Sequence, residues 1–144
     1  MDKGNNEMIK FTIPLNPVSK KNSNEIVKHG NKRRIIASEA YRNYEKQAVL
    51  LIPWEAKQNI DYPVNIKALY FRKTRHRVDK TNLESALMDT LVKAGVLKDD
   101  SALNPEIVVT TDDSKVFYDK ENPRTEVTIT NASEKTSPYN TYSV

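Results

Sequence analysis

The residues of this chain that could do chemistry are carboxylates. The chain has no cysteine and only two isolated histidines, His29 and His76. A bound metal would therefore be held by oxygen ligands, which favours Mg²⁺, with Mn²⁺ as the alternative. Carboxylates around such an ion let it polarise a phosphoryl oxygen and lower the pKa of an attacking water. The acidic residues in question collect in the second half of the chain: Asp79, Glu84, Asp89, Asp99, Asp100, Asp112 and Asp113.

Basic residues form two clusters, although the net charge is only +4. The first cluster contains Lys20, Lys21, Lys28, Lys32, Arg33 and Arg34, and the second contains Arg72, Lys73, Arg75, His76 and Arg77. A basic surface around an acidic pocket is typical of a phosphodiesterase acting on nucleic acid, because lysines and arginines neutralise phosphates. Two solvated loops would give the same composition, so charge alone leaves both interpretations open.

Several elements must position these side chains. Alternation of apolar and polar residues predicts strands at 8–15 and 64–71, and shorter strands at 107–111, 116–118 and 126–130. Segments 25–28 and 33–36 flank a loose turn and predict a hairpin. A first helix is expected after Ser38 and should end before Pro53. Its inward face would carry Tyr41, Tyr44, Ala48 and Leu51.

A second helix, from about residue 82 to 94, has an apolar stripe and should end at Gly95. The stripe consists of Leu83, Ala86, Leu87, Leu91 and Ala94. The order of elements predicts a single small α+β domain over 1–131, with a mixed or antiparallel sheet and two helices on one face. Residues 132–144 are expected to form a flexible tail. No apolar run approaches the roughly 20 residues that cross a bilayer, and a cytoplasmic location is expected.

Three short runs flank this second helix: Asp79-Lys80-Thr81-Asn82, then Lys93-Ala94-Gly95, then Asp99-Asp100-Ser101. In residue type and spacing they resemble the signature of the RusA-type Holliday junction resolvases. Segments 17–23, 38–44 and 119–124 are similar to the Gram-positive and phage branch of that family. The resemblance implies a RusA-like fold and a small homodimer. Such a dimer would nick two strands of a four-way DNA junction symmetrically, with Mg²⁺, in recombination and repair.

The resemblance also implies roles for individual residues. Asp79 and Asp100 would be catalytic and would hold the metal with the adjacent Asp99. The basic residues expected to bind DNA are Lys20, Lys21, Arg75, Arg77 and Lys80. Without the resemblance, Asp79 would be read as an ordinary carboxylate at a helix start. The pair Asp99-Asp100 would be read as a solvated turn.

This chain departs from the commonest family pattern at two positions. Thr81 stands where the pattern has a second Asp, and Ser85 stands where it has a lysine. Glu84 could reach toward the position of the missing carboxylate as a catalytic metal ligand. Alternatively, Thr81 and Glu84 could form a capping box at the helix start. Lys80, Arg77 and Lys21 are the candidates to replace the missing lysine.

Three hypotheses on function follow from these observations. The first is a metal-dependent endodeoxyribonuclease that resolves four-way junctions. The second is a catalytically impaired protein of phage or prophage origin that binds branched DNA. The third is a structural component of a phage replication complex.

Some residues near the central helix have two interpretations. Asp89 is a reserve ligand or the partner of Lys93 at the i,i+4 spacing. Met88 and Val92 face a dimer partner or widen the buried face. Trp54 is expected, like the two tyrosines of the first helix, in the core or on a helix face, with base stacking as the alternative role.

Overall fold

The computed structural model describes residues 8–19, 24–29, 32–37, 39–98 and 109–132, with the backbone alone for 24–29 and 32–37. Within this part of the chain, two helices and a mixed five-stranded sheet form a single small α+β domain, as predicted. A separate hairpin pairs β2 (Asn24–His29) with β3 (Lys32–Ala37), which confirms the prediction for that segment.

The sheet is built around its longest strand, β4. The strands are β1 (Ile9–Ile13), β4 (Val64–Arg72), β5 (Val109–Thr110), β6 (Lys115–Tyr118) and β7 (Arg124–Asn131). Along the sheet the order is β1-β7-β4-β5, and β6 also pairs with β4 beyond the end of β5. The pairs β1–β7 and β7–β4 are antiparallel, whereas β5 and β6 run parallel to β4.

One face of the sheet is buried because inward-facing residues, nearly all of them apolar, alternate along its three longest strands. The buried residues are Phe11 and Ile13 of β1, Val64, Ile66, Ala68 and Tyr70 of β4, and Thr125, Val127 and Ile129 of β7. Neighbouring residues such as Thr12 and Lys67 are exposed on the other face. The helices α1 (Glu39–Leu51) and α2 (Lys80–Lys93) contribute to the same core as the buried face. Both helices therefore lie on one side of the sheet, as predicted.

The buried stripe of α1 contains Tyr41, Tyr44 and Ala48, as predicted, but the prediction for Leu51 is wrong. Leu51 is 44% exposed, and Ile52, four residues after Ala48, takes the buried position. Of the two positions expected for Trp54, the core is excluded, since its side chain is 77% exposed. It lies in a short 3₁₀ helix, Trp54–Ala56, that turns only its last residue into the core.

Helix α2 buries its predicted apolar stripe, and Met88 and Val92 pack against the core, which confirms the broader buried face. The helix ends at Gly95, whose φ of +83° favours glycine. There the Val96 N–H donates to the Leu91 carbonyl at 2.9 Å, a hydrogen bond typical of a Schellman motif. After the helix, Leu97 forms an isolated parallel β-bridge with Ile60. Within the described residues, neither helix is long and apolar enough to span a membrane.

Candidate functional site

Asp79 stands at the start of α2, where its carboxylate caps the helix. Its backbone is extended, with φ −83° and ψ 121°, and Oδ1 accepts a hydrogen bond of 3.0 Å from the Thr81 N–H. The cap explains why the helix begins at Lys80, two residues earlier than predicted. It also confirms the interpretation of Asp79 as a helix-start carboxylate, in the region where the helix dipole favours negative charge. The side chain is exposed, so this role leaves it accessible to a ligand.

Glu84 does not form the predicted capping box. Because Asp79 is the N-cap, Glu84 is the fifth residue of the helix, beyond the third position where the capping-box acid belongs. Its Oε2 atom is buried and has no hydrogen-bond partner among the described residues. A buried carboxylate oxygen without a partner costs free energy, so a cation or water is expected beside it.

The hydroxyl of Tyr70, on β4, is a second buried polar atom without a partner among the described residues. Burial, and after it the negative charge of Glu84, raises the pKa of this tyrosine well above its usual range. Tyr70 therefore stays protonated at neutral pH and keeps a hydrogen that it could donate.

The loop between β4 and α2 carries the second basic cluster and is held at several points. The guanidinium of Arg72 donates to the carbonyl of His76, and the Lys73 N–H donates to Oδ1 of Asn16 at 2.9 Å. The Arg72 carbonyl accepts a 2.7 Å hydrogen bond from the Asp119 N–H. Burial lowers the pKa of Arg72 from its ordinary value, and its Nε atom is buried with no described partner.

This loop and the end of β6 line a shallow, open basic groove of about 540 Å³. Its lining residues are Lys73, Thr74, Arg75, His76, Tyr118 and Lys120, and we call it the Tyr118 groove. The guanidinium of Arg75 lies over the Tyr118 ring, 4.0 Å from its centroid. Arg77 lines an adjoining depression of about 330 Å³. The structure thus brings two of the predicted DNA-binding residues, Arg75 and Arg77, to one surface.

Tyr118 and Lys120 were not predicted as parts of this surface. Each is an isolated residue about 45 positions from Arg75 in the sequence, and no local pattern indicates a common site. The parallel pairing of β6 with β4 creates the proximity, since it places Tyr118 opposite Arg72. Only knowledge of that pairing could have identified them.

Lys80 has a structural contact in addition to its predicted role at the DNA. Its Nζ donates to the Ser114 carbonyl at 3.0 Å, which joins the start of α2 to the segment between β5 and β6. Ser114 is buried, and its hydroxyl accepts a 2.9 Å hydrogen bond from the Ala68 N–H. Near the other end of α2, the Lys93 ammonium lies 3.7 Å from the Glu45 carboxylate of α1.

The remaining predicted site residues, Lys20, Lys21, Asp99 and Asp100, lie outside the described residues. In the described part of the chain, no three histidine or acidic side chains gather closely enough to hold a metal ion. Asp79 and Glu84 are therefore the two proposed ligands whose surroundings are known. Both supply the oxygen atoms that Mg²⁺ prefers.

The described residues form a small α+β domain. A carboxylate caps its central helix, and a basic groove lies beside the loop that leads into that helix. This combination of fold and site can be compared with known protein families. The family model described as endodeoxyribonuclease RusA matches residues 14–130, most of the 144-residue chain. The chain belongs to the RusA endodeoxyribonuclease family, and the match supports a RusA-like Holliday junction resolvase. A comparison with curated proteins finds none that matches this chain. The predicted Gram-positive or phage branch stays a prediction.

Proposed function

We propose that this protein is a Mg²⁺-dependent endodeoxyribonuclease that resolves four-way DNA junctions by paired symmetric nicks, in the cytoplasm, during recombination and repair. The observation that carries the proposal is the family match over residues 14–130. That range contains every residue that is proposed to bind metal or DNA. Two observations support the dependence on metal: the carboxylate of Asp79 is exposed, and Oε2 of Glu84 is buried with no hydrogen-bond partner in the part of the chain that the structure describes.

The metal would be held by Asp79, Glu84, Asp99 and Asp100, with Mn²⁺ able to replace Mg²⁺. Asp79, Glu84 and Asp100 are the proposed catalytic residues. When bound, the ion would polarise the scissile phosphate and lower the pKa of the attacking water. Glu84 fits this set because its buried Oε2 has no hydrogen-bond partner among the described residues, and a cation would satisfy it. It would thereby supply the carboxylate that the family pattern places at Thr81.

The length of α2 restricts how these carboxylates can meet. A helix of 14 residues is about 21 Å long, and Asp79 lies at its start whereas Asp99 follows its end. Carboxylates that flank such a helix share an ion only if the chain runs back along it or if two copies build the site together. A homodimer would satisfy the second condition and would supply the two sites that paired nicks require.

The DNA would be held through its phosphates by the basic residues of both clusters. Arg75 and Arg77 lie on the loop that leads into Asp79, so phosphates bound there would be adjacent to the proposed metal ligands. Lys80 follows Asp79 directly, and Lys20 and Lys21 belong to the early cluster. Each phosphate contact of this kind makes affinity depend on salt, because bound counterions are released.

The alternative is a catalytically impaired protein that binds branched DNA. Thr81 and Ser85 favour it, because neither can supply the carboxylate or the amine of the commonest family pattern. Binding would survive the loss of these groups, since it depends on the basic residues.

The experiment that separates these functions uses a synthetic four-way junction and a linear duplex of the same arm sequence. With Mg²⁺ or Mn²⁺, the purified protein should cut the junction at symmetric positions in two opposing strands and leave the duplex intact. In Ca²⁺ it should bind the junction without cutting. Binding without cutting in all three metals would establish the alternative. Failure to bind either DNA at low salt would exclude both.

A further inference from the structure

The Tyr118 groove contains an aromatic ring that phosphate binding does not require. We propose that this groove binds an unpaired nucleotide at the branch point, with the base stacked on the Arg75–Tyr118 pair and the phosphate held by Lys73 and Lys120. The inference rests on the proposed function, because it concerns the same DNA substrate. It adds a second type of contact, to a base rather than to the backbone.

The first observation is the exposure of apolar side chains on β6. Val116, Phe117 and Tyr118 are between 37% and 41% exposed, on a strand that among the described residues pairs with β4 alone, on one side. Soluble proteins rarely leave apolar residues together on a sheet edge unless the surface binds something. The exposed patch lies directly beside the basic loop, since Val116 and Phe117 line the same depression as Arg77.

The second observation is that the backbone on both sides of the ring is held in place. Phe117 stacks on Phe71 of β4, with ring centroids 4.9 Å apart and an angle of 17° between the planes. The guanidinium of Arg124 lies 3.8 Å from the centroid of the Phe71 ring and donates to Oδ2 of Asp119 at 2.9 Å. That bond lowers the pKa of Asp119, which stays ionised and holds the segment between Tyr118 and Lys120. A ring on a backbone segment that is held in place loses less freedom when a ligand stacks on it.

The third observation is charge. Lys73, Arg75 and Lys120 line the groove together with His76, and no acidic residue is among the lining residues that the structure describes. An arginine on an aromatic ring presents a planar cation on which a base can stack.

These features favour an unpaired nucleotide over other occupants. In a duplex each base is covered by its neighbours, whereas an unpaired base offers the face that an aromatic platform binds. A second copy of this chain is the other candidate, through pairing of two β6 edges. Such an arrangement would bring two groups of cations together, and like charges across an interface are unfavourable.

The test compares two probes with the same phosphate charge: a single strand of twelve thymidines and a twelve-residue abasic strand. Wild-type protein should bind the thymidine strand roughly ten-fold more tightly, because one stacked base is involved. Tyr118→Ala and Tyr118→Leu should lose this preference, and Tyr118→Phe should keep it. Trp54→Ala removes an exposed aromatic ring that does not line the groove and serves as the control. Lys73→Ala should weaken the binding of both probes by the same factor.

Two results would overturn the inference. One is that the wild type and the Tyr118→Ala, Tyr118→Leu and Tyr118→Phe variants all prefer the thymidine strand to the same degree. The other is a change of sedimenting mass in Tyr118→Ala, which would assign the surface to contact with a second copy of the chain. Circular dichroism melting establishes that each variant is folded. Failure of the proposed function looks different: the wild type would then prefer the thymidine strand through Tyr118 but leave a four-way junction uncut. A protein that cuts the junction but shows no dependence on Tyr118 would refute only the groove.

Discussion

Asp79 is assigned two roles that substitution can separate, because a helix cap requires an acceptor oxygen whereas a metal ligand requires a negative charge. Asparagine retains an acceptor oxygen and is about as good an N-cap as aspartate. Alanine has neither the acceptor nor the charge. The variants Asp79→Asn and Asp79→Ala should therefore differ in stability and agree in activity.

The expected stability follows from the single cap bond, 3.0 Å from Oδ1 to the Thr81 N–H. Asp79→Ala should lower the free energy of unfolding by about 1 kcal/mol. In Asp79→Asn only the interaction with the helix dipole is lost, worth roughly 0.3 kcal/mol at an exposed position in ordinary salt. For a chain of this size, 1 kcal/mol corresponds to a decrease in melting temperature of roughly 4 °C. Thermal unfolding followed by circular dichroism resolves the two variants.

Junction cleavage should be at least about 100-fold slower in both variants. Loss of a group that only supports a metal ligand already lowers metal affinity or activity by roughly 10- to 100-fold, and loss of a ligand itself should cost more. Junction affinity in Ca²⁺ should stay within a few-fold of wild type, because the basic residues are unchanged. The assay is single-turnover cleavage of a labelled four-way junction with Mg²⁺. If Asp79→Asn cuts at the wild-type rate while Asp79→Ala merely melts earlier, Asp79 is only a cap and the metal assignment is refuted.

Three further predictions concern the other residues of the site. Glu84→Gln removes the charge of a carboxylate whose buried Oε2 has no hydrogen-bond partner in the described part of the chain, so the metal-free protein should be as stable as wild type or more so. The rise in melting temperature with Mg²⁺ should shrink in this variant; an unchanged rise would remove Glu84 from the ligands. If two copies build each site, a mixture of the Asp79→Asn and Asp100→Asn proteins should cut one strand of the junction, because one of the two sites in the mixed dimer then has both carboxylates. If the mixture does not cut, both carboxylates of a site come from the same chain. Lys80→Met breaks the bond to the Ser114 carbonyl and should cost about 1 kcal/mol of stability by denaturant titration, with junction affinity reduced about three-fold or less; a far larger loss of affinity at unchanged stability would make Lys80 chiefly a DNA contact.

Local patterns in the sequence predict most of the fold. The alternation along β4, the apolar stripe of α2 and the stop at Gly95 are each visible within about 15 residues, and each is confirmed. Local choices between similar residues are less secure. Asp79 and Thr81 are both good N-caps, and the sequence could not decide which one begins the helix, so the interpretation of Glu84 as a capping-box acid was wrong. Leu51 and Ile52 are likewise adjacent apolar residues at a helix end.

The candidate site could be predicted only in part. Its carboxylates and basic loop are recognisable from residue type and spacing, and the family match supports the fold and the general activity. The Tyr118 groove depends on a parallel pairing of β6 with β4 across more than 40 residues, which no local pattern indicates. The roles of Lys20, Lys21, Asp99 and Asp100 stay predictions, because these residues lie outside the described part of the chain.

The central claim is that carboxylates at α2 hold a divalent cation against a DNA phosphate. The most direct test is cleavage of a four-way junction in which a sulfur atom replaces one non-bridging oxygen of the scissile phosphate. Sulfur is a soft ligand that Mg²⁺ binds poorly and Mn²⁺ accepts better. We expect one of the two sulfur stereoisomers to be cut slowly in Mg²⁺ and to recover in Mn²⁺. Cleavage of both stereoisomers in Mg²⁺ at the rate of unmodified DNA would contradict a contact between metal and phosphate.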